Sequence, residues 1–124
     1  VRIPAQKSAT ASRGIGWRSA SADSKRRYSA FFGTELEILL RAYDAQTLIL
    51  FGGLTDVCIH YTAVDAHQHD YHVRVASDAV GGSSQAAHDA ALAAIEYLQR
   101  DALACTDDLL DALELCVQTP RSGD

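Results

Sequence analysis

Thr47-Leu48-Ile49-Leu50-Phe51-Gly52-Gly53-Leu54-Thr55-Asp56-Val57-Cys58 decides the reading of this chain. An apolar β-run stops at a Gly-Gly pair, turns, and delivers a cysteine into the first turn of a predicted helix. A continuous apolar strand suits the middle of a parallel sheet, buried on both faces. A helix N-terminus carries partial positive charge and unpaired backbone N–H groups. A thiol placed there ionises more readily and becomes a nucleophile, and the same N–H groups can hold an oxyanion.

Reading outward from this strand, the elements alternate. Thr34-Glu35-Leu36-Glu37 has the form of a capping box, and Leu36, Leu39, Leu40 and Tyr43 follow on one helical face. Asp56 to about His69 reads as a helix with Val57, Tyr61, Val64 and Ala66 facing inward. Tyr71–Ala76 alternates as a strand, and Ser83-Ser84 caps an Ala-rich helix running to about Gln99. Ala102–Cys105 reads as a short strand, and Thr106 caps a last helix through about Leu115. This order predicts an α/β fold, with right-handed βαβ units on a parallel sheet. Sites in such sheets form beyond the carboxyl ends of the strands. Cys58 lies just past one predicted end, and Asp78 just past the next. Residues 1–22, rich in Ser, Ala, Gly and Arg, read as an irregular arm ahead of a domain over 23–124. Within the arm, Val1–Ile3 is a candidate strand that Pro4 confines to a sheet edge.

Composition narrows the function classes. A chain of 124 residues with 48% apolar and 22% charged residues is one ordinary globular domain. Its net charge of -5 argues against a nucleic-acid partner, and the early cluster Arg13, Arg18, Lys25, Arg26 and Arg27 reads as a solvated face. The sequence has no apolar run long enough to span a membrane and no signal-peptide core, so a cytoplasmic protein is expected. Cys58, Cys105 and Cys116 are odd in number and lack CxxC spacing, which favours reduced thiols. Cys105 and Cys116 read as small buried hydrophobes. His60, His67, His69, His72 and His88 form no HExxH pattern and no zinc spacing, so no metal site and no cofactor are expected. Gly81-Gly82-Ser83-Ser84 reads as a loop and helix cap rather than an anion site.

Several motifs then combine. Lys25-x-Arg27-Tyr28-Ser29-Ala30-Phe31, Gly33-Thr34-x-Leu36, the apolar strand, Gly52-x-x-Thr55-Asp56-Val57-Cys58, Thr62-Ala63-x-Asp65-Ala66, Asp78-Ala79 and Ala87-His88 together resemble the isochorismatase-like cysteine hydrolases. The resemblance covers roughly residues 24–114. It implies a three-layer αβα, Rossmann-like fold whose N-terminal strands have no match here. It also implies a Cys-Lys-Asp triad that hydrolyses small amide, carbamoyl or ureido compounds through a cysteine thioester. Carried over by motif, Cys58 is the nucleophile and Lys25 the triad lysine. The Gly53–Leu54 peptide matches a position often cis in the family, and the Leu54 and Cys58 amides form the oxyanion hole. Arg27 and Tyr28 are candidate substrate contacts; packing of Tyr28 and Phe31 beneath the site is the alternative. Nicotinamidase-type members carry a metal whose ligands lie outside the matched motifs.

The third triad member has no match. The family places an aspartate at the end of the first strand, in an Asp-x-Gln-like motif. Val1–Ala22 contains no aspartate, Asp23 lies too close to Lys25 along the chain, and Asp56 occupies a motif position not used as the base. Without that first strand, Thr47–Gly53 would present an open apolar edge. A longer chain, a second copy covering the edge, or an improvised strand from residues 1–22 would each answer this. Two functions follow as expectations. One is an amide hydrolase acting as a homo-oligomer, a dimer or tetramer. The other is a catalytically inactive homologue that assembles or interacts through the edge.

Overall fold

The computed structural model describes residues 9–11 and 25–118. The Val1–Ile3 strand, most of the arm and Asp23 lie outside the described residues.

The elements in chain order are β1 (Ala9–Ala11), α1 (Leu36–Ala42), β2 (Ala45–Gly53), a π-helical turn (Thr55–Ile59) running into α2 (His60–Gln68), β3 (His72–Gly81), α3 (Gln85–Leu98), β4 (Leu103–Ala104) and α4 (Thr106–Gln118). The sheet order is β1-β2-β3-β4. Strands β2, β3 and β4 are mutually parallel, as the alternation of elements predicts. Of the three answers that the sequence leaves open for the exposed edge of β2, a strand from residues 1–22 is the one seen among the described residues: β1 pairs antiparallel with β2, with Ala9 opposite Leu48 and Ala11 opposite Ala45. An edge strand's free N–H and C=O groups favour such pairing.

The core lies between the sheet and its helices. Leu48 and Leu50 of β2 and Val73 and Val75 of β3 are buried with Leu40, Ile59, Ala63, Ala66 and Ile95 from the helices. Across the π-turn and α2 the inward residues are Thr55, Ile59, Thr62, Ala63 and Ala66, not the predicted set. Of that set Ala66 is buried, whereas Tyr61 is 47% exposed. The π-turn explains the change. Its Ile59 N–H donates to the Leu54 carbonyl five residues back, at 3.1 Å. The extra residue rotates everything after it by about one helical position.

Three other expectations change for reasons of pairing. Thr34 does not close a capping box with Glu37. Its hydroxyl donates to the Ala30 carbonyl and accepts from Leu36 N–H at 3.3 Å, while Glu37 binds Arg41 at 2.9 Å. Strand β3 continues to Gly81 because its far end re-pairs with β2. Leu50 faces Val75 but Gly52 faces Val80, so Ala76–Ala79 bulge opposite Phe51. Asp78 therefore sits inside β3, in the bulge, and not beyond the strand end. Strand β4 spans only Leu103–Ala104, and the Gln99 side chain completes the edge beside it. Its amide accepts from Val73 N–H and donates to the Val73 carbonyl, both at 2.8 Å.

Candidate active site

The site is built at the carboxyl end of β2. Gly52 has φ of 112°, a backbone region that a side chain would strain. At Gly53 a Cβ would lie 3.4 Å from the Gly81 carbonyl oxygen, so β2 and β3 approach closely where they end. The Gly53–Leu54 peptide is cis. The π-turn follows at once. The Leu54 carbonyl accepts from both Val57 N–H, at 3.2 Å, and Ile59 N–H, at 3.1 Å.

Cys58 lies within this turn, half-buried and outside any disulfide. Burial pushes its thiol pKa up, while the positive charge of Lys25 and a hydrogen bond from the Leu54 backbone N–H pull it down. The structure places Cys58 in the turn that Leu54 opens and Lys25 on a separate loop whose charge favours the thiolate. Lys25 is exposed, and its ammonium also donates to the Arg27 carbonyl. The loop that carries it is pinned to α2, because Ala30 N–H donates to the buried Thr62 hydroxyl at 3.0 Å.

Arg27 and Tyr28 lie in a different surrounding. With Ser29, Phe32, Tyr61 and Asp65 they line an open depression of about 310 Å³, whose lining does not include Cys58. Tyr28 is 59% exposed and its ring lies 6.1 Å from that of Tyr61. Phe31 is the aromatic residue of this loop that packs inward, beside buried Ser29 and Ala30 in the chain, stacked on His69 at 5.1 Å and beside Tyr71 at 6.2 Å.

The two nearby aspartates are engaged elsewhere. Asp56 accepts from Ser83 N–H at 2.8 Å and from the Ser83 hydroxyl. These hydrogen bonds hold its carboxyl below the ordinary carboxylate range. Asp78 accepts from Thr106 N–H and the Thr106 hydroxyl, both at 2.8 Å, and is lowered for the same reason. Asp56 ties the turn after β2 to the loop just ahead of α3, and Asp78 ties the bulge of β3 to the first residue of α4.

Sequence reasoning missed one group. Thr55, with no exposed surface, shares a 2.9 Å hydrogen bond with Nδ1 of His88. Gly82 packs against the same place, where a Cβ would meet His88 Cβ at 2.7 Å and Asp56 Oδ1 at 3.0 Å. A signal for His88 was present. It stands on the α3 face that also carries Ala91, Leu92 and Ile95, at helical spacing. A polar residue on an inward face needs a partner.

Among the described residues no group of three or more His, Cys, Asp or Glu could hold a metal ion. These residues do not fit the metal of nicotinamidase-type proteins. No helix among them is long and apolar enough to cross a membrane.

A parallel sheet flanked by helices, whose strand β2 ends in a cis peptide and a cysteine-bearing turn, defines the class as α/β. The isochorismatase domain model matches residues 19–107, and the chain belongs to that family. It is similar to the maleamate amidohydrolase of Pseudomonas putida, with 38% identity over 84 residues, covering 68% of this chain and 39% of that protein. Its fold is similar to the crystal structure of pyrazinamidase/nicotinamidase from Streptococcus mutans, with a TM-score of 0.62 and 40% identity, covering 64% of this chain and 44% of that one. It is also similar to a cysteine hydrolase from Pseudomonas syringae pv. phaseolicola, with a TM-score of 0.69 and 28% identity, covering 74% and 48% of the two chains. The chain spans less than half the length of the curated relatives it matches.

Proposed function

We propose that this chain carries the nucleophile-bearing part of a cysteine amidohydrolase that cleaves a small amide, carbamoyl or ureido substrate. One observation carries the reading: Cys58 stands free and half-buried in the π-helical turn that follows the cis Gly53–Leu54 peptide at the carboxyl end of β2. Relatives named as a maleamate amidohydrolase and a nicotinamidase support amide bonds as the target.

In this mechanism the Cys58 thiol gives its proton to a base, and the sulfur attacks the carbonyl carbon. A C–S bond forms, and the carbonyl π electrons move to oxygen. The resulting oxyanion rests on the N–H groups of Leu54 and Cys58, with Lys25 offsetting the charge. Collapse breaks the C–N bond, and the amine leaves with the proton the base received. Water then attacks the thioester, releasing the carboxylic acid and restoring the thiol. Arg27 and Tyr28 contact the distal part of the substrate from the rim. Asp56 and Asp78 do not serve as the base, since each is committed to a helix start. The base is a carboxylate supplied from outside the matched motifs, by a preceding segment or a second copy.

The test is ammonia release from nicotinamide, maleamate and simple ureido compounds, with intact-mass detection of an acyl adduct. An adduct on Cys58 that chases to free enzyme is the expected result. Ammonia release that persists in Cys58→Ala would sink the reading.

A second reading, assembly through the sheet edge, is favoured by the pairing of β1, which among the described residues meets β2 over Ala45–Leu48. It predicts a dimer or tetramer by sedimentation and no turnover of any amide. A monomer at micromolar concentration contradicts it.

A further inference from the structure

We infer that Thr55 and His88 are positioning residues for Cys58, and that with Asp56, Gly82 and Ser83 they clamp the π-helical turn that presents the thiol. The inference rests on the reading of Cys58 as the nucleophile. A π-turn is a rarely used backbone form, found mostly as a single turn joined to an α-helix. Here both bonds into its first turn converge on one acceptor, the Leu54 carbonyl. Restraint from outside the turn therefore decides whether it persists.

That restraint comes from one side of the molecule. Thr55 opens the turn fully buried, and its hydroxyl meets His88 Nδ1 at 2.9 Å. Asp56, the next residue, holds Ser83 through backbone N–H and hydroxyl. Between these contacts Gly82 closes the gap, with no room for a Cβ against His88 or Asp56. The clamp thus grips the two residues that precede Val57 and Cys58. It joins the end of β2 to the first turns of α3, across more than twenty residues of sequence. Losing the His88 acceptor-donor leaves the Thr55 hydroxyl buried without its partner, and the turn relaxes toward an ordinary α-helical start. Cys58 then rotates away from the Leu54 N–H, because an α-helical turn places each residue differently from a π-turn.

The experiment compares His88→Leu with His88→Asn. Asparagine places a donor or acceptor near the position of Nδ1, whereas leucine keeps bulk without either. The readouts are the iodoacetamide rate at Cys58, with Cys105 in the same molecule as reference, and amide exchange over residues 55–59. His88→Leu is expected to slow Cys58 about tenfold and to speed exchange in the turn, leaving Cys105 unchanged; His88→Asn is expected to restore both to within about threefold. Equal behaviour of the two variants overturns the inference, as does a parallel change at Cys105. If His88→Leu fails to fold, Thr55→Val against Thr55→Ser makes the same comparison at the other end of the bond, with the valine variant expected to behave as the leucine one. A wild-type Cys58 that reacts no faster than Cys105 defeats the nucleophile reading alone. The clamp is still scored then, on exchange in the turn.

Discussion

Cys58 and Cys105 occupy the same place in the fold and have different surroundings. Each follows the carboxyl end of a parallel strand, β2 or β4, and each stands at or before the start of a helix. Both are half-buried and unpaired. At Cys105 the sulfur accepts from Asp108 N–H at 3.5 Å, three residues on, in the manner of a helix cap. At Cys58 the turn is π-helical, the N–H that meets the sulfur comes from Leu54 before the turn, and a lysine from a separate loop adds its charge. On the proposed reading, a helix start alone does not separate the two thiols. The difference lies in who supplies the donor and whether a cation is close.

The comparison can be broken in several ways, beginning with the largest effect. Cys58→Ala should lower amide turnover by about three orders of magnitude or more, as for other nucleophile deletions, while Cys105→Ala leaves kcat within about twofold. Steady-state ammonia release checks both. Gly82→Ala should destabilise the fold by about 1–3 kcal/mol, because its Cβ meets His88 Cβ at 2.7 Å, and should slow Cys58 alkylation without touching Cys105. Urea denaturation measures the first effect and labelling kinetics the second. Cys105→Ala should cost up to about 1 kcal/mol through the lost cap, with Cys105→Ser recovering most of it. The smallest effect is on acid stability. Asp56 and Asp78 are held below their ordinary value of 3.8 by Ser83 and Thr106. The stability they contribute is complete above that value and is lost as pH falls through their lowered folded values. Asp78→Asn and Asp56→Asn should therefore flatten the acid limb of a pH–stability curve and leave its slope near neutrality unchanged.

What was legible in the sequence was local. The strand-turn-cysteine unit is visible because an apolar run, two glycines and a polar turn follow one another directly. The α3 cap is visible for the same reason, and Ser84 accepts from Ala87 N–H at 3.1 Å. Features set by distant partners were not legible. Thr34 has the form of a capping residue, but the Ala30 carbonyl takes its hydroxyl and Arg41 takes Glu37. The inward face of α2 shifted because a π-turn precedes it, and no propensity announces one. Asp78 lies within β3 because the strand bulges to meet β2 again. Arg27 and Tyr28 share a motif with Lys25, but the depression they line with Phe32, Tyr61 and Asp65 is assembled from two separate stretches of chain. The Thr55–His88 bond joins residues 33 positions apart, a separation that periodicity does not reach.

The most direct test of the account is competitive alkylation of the intact protein with limiting iodoacetamide at neutral pH, read by peptide mass spectrometry. The account predicts that Cys58 is modified at least about tenfold faster than Cys105, and that Lys25→Ala narrows the gap by removing the nearby positive charge. Equal rates at the two cysteines, unaffected by Lys25→Ala, would contradict it.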